Sequence, residues 1–350
     1  MSWIKNPTPI RNALFKEKAL ERQSQLTKPA GSLGKLEVLA VTLADLQQSE
    51  KPSADNISIA VFAGDHGIAE EGVSAFPQEV TVQMISNFLQ GGAAISVLAK
   101  QLDAAFEVVD TGILTELPAQ DGLVIQRAAA GTKNSLHHEA MTQTQLDIAL
   151  QAGRDAALRA VKNKADIFIG GEMGIANTTT ATVLYCALLE LSPEEITGAG
   201  TGLDDAGISH KTTVVAGILK KHQDCGTDAL AWLRCAGGFE VAALTGAYLQ
   251  AAQSGLPILV DGFISTAAAL CAVRIQAEVN DYLLFAHTSA EQGHRKTIES
   301  LNQTALLNIG MRLGEGSGAA VAVSLLRSAC ALHNDMATFA EAAVAGQETA

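Results

Sequence analysis

Aromatic residues make up only 4% of this 350-residue chain, which holds just two tryptophans and three tyrosines. Alanine and glycine are abundant instead, and hydrophobic residues reach 48%. Small side chains in that proportion suit helices packed closely on a sheet. Basic residues are also few: 24 Lys and Arg against 37 Asp and Glu leave a formal charge of −13. That balance argues against nucleic acid or an anionic membrane as the main partner. An anionic substrate would need a locally positive pocket. The five cysteines, Cys186, Cys225, Cys235, Cys271 and Cys330, are scattered and odd in number. With no CxxC pair, neither a zinc site nor a disulfide framework is expected, and the chain reads as a protein of the reducing cytoplasm. Residues 1–18 carry no signal-peptide core. No apolar run reaches a membrane span without a charged or turn-forming interruption.

Short β-rich runs at 57–62, 106–110, 166–170, 257–261 and 282–286 alternate with longer segments of helical period. The helical segments are 79–102, 143–162, 177–189, 212–221, 239–252 and 265–277. Such alternation predicts an α/β fold, a parallel sheet with helices on both faces. Residues 1–50 read as helix and loop, as does the tail from 319 to 350. The two are expected to form one small helical domain, leaving 51–318 as the large α/β domain. The stretch 111–139 is the least regular, and 301–311 looks helical.

Polar and glycine-rich residues collect where these elements end, which in an open α/β sheet is where ligands bind. Gly64-Asp65-His66-Gly67 follows the first strand. Gly170-Gly171-Glu172-Met173-Gly174-Ile175-Ala176-Asn177-Thr178 joins a strand to a helix and has the makings of an anion cradle, with free amides, a helix dipole and side-chain donors. It lacks the GK[ST] ending of a Walker A loop. Glu172 would repel a phosphate and is better suited to a sugar hydroxyl or a cationic ring. Gly198-Ala199-Gly200-Thr201-Gly202 resembles a dinucleotide fingerprint only loosely, because no buried strand precedes it; Lys211, beyond it, is a plausible phosphate counter-charge. His287 to His294 forms a fourth cluster. The fifth, Leu313-Gly314-Glu315-Gly316-Ser317-Gly318, isolates one carboxylate among glycines. Glu315 is placed either to touch a ligand or to cap the next helix. Phe76 and Pro77, ahead of the helix with Gln83 and Met84, offer an apolar wall or simply core packing.

Six segments, in order, resemble a known family. They are Thr27-Lys28-Pro29-Ala30-Gly31-Ser32-Leu33-Gly34, Gly64 to Gly67, Gly171 to Thr179, Gly200-Thr201-Gly202, Val260-Asp261-Gly262-Phe263 and Leu313 to Gly318. Together they are similar to nicotinate-nucleotide:dimethylbenzimidazole phosphoribosyltransferases from about Leu26 to Gly318. The resemblance implies transfer of phosphoribose from nicotinate mononucleotide to a benzimidazole-type base, without a cofactor or metal, by a cytoplasmic homodimer in cobalamin lower-ligand assembly. It also implies Glu315 as catalytic base and Glu172 as a second carboxylate. Gly174, Asn177, Thr178 and Lys211, with Gly316 and Ser317, would hold the nucleotide. Phe76, Gln83, Met173 and Leu313 would shape the base pocket. Two other classes stay open: a metallohydrolase with Asp65, His66, Asp261 and His287 around a metal, and a non-catalytic nucleotide sensor.

Overall fold

The computed structural model describes residues 1–291 and 293–345. Gln292 of the fourth polar cluster, and the last five residues of the expected terminal unit, lie outside the described residues. Six strands form one sheet: β1 (Ile57–Gly64), β2 (Ala105–Gly112), β3 (Leu123–Ile125), β4 (Ile167–Met173), β5 (Ile258–Val260) and β6 (Leu283–Phe285). Every pairing is parallel, and the order is β3-β2-β1-β4-β5-β6. The chain therefore winds outward in one direction from β1, then returns and winds outward in the other. The crevice between the C-terminal ends of β1 and β4 is the switch point that favours ligand binding.

Strand residues alternate between two cores, as a sheet covered on both faces requires. Ala60, Phe62, Val109, Phe168, Val260 and Phe285 face helices that include Gln143–Lys162, Asn177–Leu189, Phe239–Gln253 and Phe263–Ile275. Ile59, Val61, Val108, Ile167, Ile169 and Leu259 face the other way. There they meet Lys35–Gln47, Glu79–Leu89, Ala94–Leu102 and Ser317–Asp335. Although Trp3 and Ile4 join the core on the other face, helices near both chain ends thus cover this face of the sheet. They are also tied to each other: Leu26 bridges Thr338, and the Arg22 guanidinium donates to the carbonyls of His333, Asn334 and Met336.

Three expectations need correction. The stretch Glu79–Leu102 has the length and hydropathy of a membrane span, yet it forms two helices, parted where Gly91 takes a φ of +80°. Residues 301–311 are not helical; they run alongside β6, with a bridge from His287 to Leu307. The irregular stretch 111–139 contains β3, a three-residue edge strand too short to show a period.

The Ala-rich composition is used where Gln143–Lys162 crosses Phe239–Gln253. A Cβ on Gly153 would lie 1.7 Å from the Ala243 carbonyl oxygen, and one on Gly246 would lie 2.1 Å from that of Leu150. Backbone meets backbone there, so no rotamer change relieves a larger residue. Gly153→Ala gains about 1 kcal/mol in helix propensity and loses more by forcing the helices apart, since overpacking costs roughly 1–3 kcal/mol and a carbonyl clash sits at the upper end. We expect a net fall in stability and a Tm several degrees lower by calorimetry. A Tm equal to or above that of the parent would show that the two helices can separate freely.

Candidate active site

A cavity of about 580 Å³ opens at the switch point. Its walls come from the end of β4, the turn after it and the start of the next helix (Glu172 to Thr178), the start of Phe263–Ile275, the segment after β6, the Gly200 turn and the loop of Glu315. Val80 and Met84 of Glu79–Leu89 close the apolar side with Phe76. Aliphatic and aromatic groups dominate this side and suit a flat ring.

Three carboxylates line the cavity, and two of them, Glu172 and Glu315, are buried. Glu172 ends β4, where its Oε2 accepts from the Asn177 amide. Burial, with the Glu240 and Asp261 charges added, pushes its pKa up to about 8 against that hydrogen bond. Glu315 has an Oε2 without a hydrogen-bond partner. Burial is again the main cause that pushes its pKa, here up to about 7, opposed by the Ile95 amide and assisted by Asp261. A carboxyl poised near neutrality in an apolar wall is the usual condition of a catalytic acid or base.

The Glu315 loop is held from below and from the side. A Cβ on Gly171 would lie 2.1 Å from the Glu315 carbonyl oxygen, so the loop rests directly on β4. Glu315 itself adopts a φ of +65° between Gly314 and Gly316, both at +89°. A non-glycine residue in this region costs of order 1–3 kcal/mol and persists only when its surroundings impose it. Asp261, just past β5, supplies that constraint. Its Oδ2 accepts from the Gly316 amide at 3.1 Å, and its Oδ1 accepts from Ala319 at 2.9 Å. His287 stands beside it, Nε2 3.6 Å from Oδ1. His294 accepts from the Ser289 amide at Nδ1 and bonds Thr266 at Nε2. Burial, with His287 nearby, lowers its pKa to about 3, so it is neutral and structural.

Asn177–Leu189 also begins at the cavity, where the Ile175 amide just ahead of it donates to Thr81 Oγ1 of Glu79–Leu89. Its N-cap, Ala176, has a φ of +77°, and no side chain caps the helix. A helix start attracts anions through its dipole, although here the Ile175, Asn177 and Thr179 amides already donate to Thr81 Oγ1 and to the Gly174 and Ala176 carbonyls. Lys211 lies behind this end, buried, with Nζ 2.8 Å from Thr178 Oγ1 and beneath Gly200. Burial lowers its pKa to about 8, opposed by Glu291.

Glu172, Met173, Gly174, Asn177, Thr178, Phe76, Leu313 and Glu315 thus converge on one cavity. Lys211 stands one layer behind it. Gly316 and Ser317 hold the Glu315 turn: the Gly316 amide is given to Asp261, and the Ser317 hydroxyl donates to the Gly314 carbonyl. Gln83 is exposed and lies outside the lining. Asp65 and His66 do not line the cavity either. His66 Nε2 contacts Glu240 at 2.7 Å, and Nδ1 contacts Thr180 at 3.1 Å, all within the core. Burial opposes a charge on His66, but Glu240 and Asp65 hold its pKa above the ordinary value. Both ring nitrogens are occupied, and no group of three or more His, Cys, Asp or Glu among the described residues is arranged to hold a metal. Glu240 gives no signal in the sequence, since it lies within an Ala-rich helix. Arg312, which lines the cavity, is masked there by the more conspicuous glycines after it.

A phosphoribosyltransferase family model matches residues 9–344. The chain is 56% identical over 344 residues to the nicotinate-nucleotide–dimethylbenzimidazole phosphoribosyltransferase of Pseudomonas fluorescens SBW25, covering 98% of each sequence. It is 55% identical to the like-named protein of Ectopseudomonas mendocina, with coverage of 99% and 98%. The crystal structure of the like-named protein from Thermus thermophilus superposes with a TM-score of 0.91 at 42% identity, over 96% of this chain and 100% of that one. With full-length identity at this level, a common fold and the cavity just described, the chain belongs to the nicotinate-nucleotide–dimethylbenzimidazole phosphoribosyltransferase family.

Proposed function

We propose that this cavity transfers phosphoribose from nicotinate mononucleotide to 5,6-dimethylbenzimidazole, giving nicotinate and α-ribazole 5'-phosphate for the lower ligand of cobalamin. The observation that carries this reading is Glu315: a buried carboxylate, unpartnered at Oε2, in the wall of an apolar cavity that also takes in the uncapped start of Asn177–Leu189.

The chemistry needs one base and no acid. The bond from C1' to the pyridinium nitrogen breaks, and its electron pair neutralises that nitrogen. A new bond forms from C1' to one benzimidazole nitrogen. Glu315 takes the proton from the other nitrogen, which makes the first a better nucleophile. Attack on the face opposite the departing ring turns the β anomer into the α anomer. The reaction consumes no cofactor. Glu172, with a pKa of about 8, is mostly protonated at neutral pH and can donate to a ribose hydroxyl rather than repel the substrate. Gly174, Asn177 and Thr178, with Lys211 behind them, take the 5'-phosphate, while Phe76, Met173 and Leu313 enclose the attacking ring. We retain the terminal helices, 1–50 with 319 onward, as one small unit, and place the enzyme in the cytoplasm.

Each of these roles can be tested. Glu315→Gln keeps shape but not basicity, and should cut turnover roughly 10²–10⁴-fold; near-normal nicotinate release by the variant would remove Glu315 from the role, and none from the parent would leave a nucleotide binder. The base works ionised, so parent turnover should fall tenfold per pH unit below about 7. Lys211→Ala should weaken nicotinate mononucleotide far more than the free base. The parent's nucleotide affinity should decline as pH rises past about 8, where Lys211 loses its charge; equal weakening of both substrates would count against a phosphate role. Finally, we propose a homodimer that pairs through apolar side chains left on the N-terminal segment, Ile10 at 99% exposure, Leu20 at 52% and Val38 at 65%. Light scattering at micromolar concentration reads this directly, and a mass near the 36.4 kDa of one chain would sink it.

A further inference from the structure

The substrate proposed above carries two anionic groups at opposite ends, a 5'-phosphate and a ring carboxylate. The cradle at the start of Asn177–Leu189 accounts for the first. Nothing assigned so far receives the second, and three carboxylates, Glu172, Glu291 and Glu315, share the same walls. Arg312 is the one Lys or Arg among the described lining residues. It forms no ion pair or hydrogen bond with any described residue. Glu291, the acidic group nearest in kind, is engaged elsewhere: its Oε2 accepts from the Gly200 amide at 3.4 Å and its charge acts on Lys211.

The backbone next to Arg312 is anchored, while its side chain is exposed. The Ala290 amide donates to the Met311 carbonyl at 3.1 Å, which pins the base of the Arg312 loop to the segment after β6. That segment carries Ser289 and Glu291 and follows the outermost strand on this side of the sheet. The phosphate cradle grows from β4, nearer the centre. An exposed, unpaired guanidinium that lines the cavity of an acidic chain is a ready partner for a planar carboxylate.

We propose that Arg312 pairs with the pyridine carboxylate of the donor and so makes the enzyme select nicotinate over nicotinamide mononucleotide. The inference rests on the function proposed above. The carboxylate keeps its charge while the glycosidic bond breaks, so the pair stabilises bound substrate and transition state alike. Its loss should then raise KM with little change in kcat.

The test compares the parent, Arg312→Gln and Arg312→Lys with nicotinate and nicotinamide mononucleotides as donors, by turnover and by calorimetric binding. The parent should prefer the acid. Arg312→Gln should raise KM and Kd for nicotinate mononucleotide by roughly 10–100-fold, the range of a charge-assisted pair, and at least tenfold more than for the amide. Lysine should restore part of the preference, as a point charge without the planar fork. Equal weakening of both donors would place Arg312 on the phosphate and overturn the proposal. So would a preference for the acid that survives in Arg312→Gln, or its absence from the parent. If no donor turns over, the proposed reaction fails, but the two binding constants still decide the role of Arg312.

Discussion

The active site depends on one carboxylate that takes no part in the chemistry. Asp261, at the end of β5, accepts from the first amides around the start of Ser317–Asp335. A helix start leaves several amides unsatisfied, and the glycines here have no side chain to cap them. Asp261 does so from another element, with a charge that also suits the helix dipole. Two parts of the chain 55 residues apart are joined by this contact. Glu315 is the residue between them. Its left-handed backbone, the turn at Gly314 and the bare surface of Gly171 are all consequences of docking the C-terminal helix at that point.

Asp261 also raises the pKa of Glu315 and Glu172, though burial is the larger cause for each. This sets a tension between stability and function. A carboxyl whose pKa is raised on folding favours the fold fully below its unfolded value, near 4.5, and that contribution is lost as pH rises through the folded value. Here the loss accumulates from about 4.5 upward and is complete by about 7 for Glu315 and about 8 for Glu172. The native state is therefore least helped by these groups in the range where Glu315 must be ionised to act. The backbone ladder of β1, β2 and β4 and the two apolar cores hold the site in place through that range.

Much of this architecture is legible in the sequence, because periodicity and glycine placement are local signals. The segments 143–162 and 177–189 match their helices end for end, and five of the six strands lie within a few residues of where the pattern puts them. What escapes depends on partners distant in sequence. β3 is a strand only because it lies beside β2, and 301–311 is extended because β6 runs next to it. His66 has the sequence setting of a ligand or an acid, but Glu240 stands against it from a helix 174 residues on. Lys211 has the setting of a direct phosphate contact, but Thr178 stands between it and the cavity.

The charge of the whole chain and the charge of its substrate have the same sign, and the structure reconciles them by distance. At physiological salt, surface charges are screened beyond about 8 Å, so the −13 of the chain acts weakly on a ligand already inside. What matters there is the lining. Burial keeps Glu172 mostly protonated below pH 8 and Glu315 partly so near pH 7. Against them stand the start of a helix, the Lys211 charge behind Thr178 and the guanidinium of Arg312. Near neutral pH, then, a cavity rich in carboxyl groups in an acidic protein is receptive to anions because most of those carboxyls are too deeply placed to ionise fully. The same depth that makes Glu315 a competent base keeps it from repelling what it must act on, until the proton it removes is within reach.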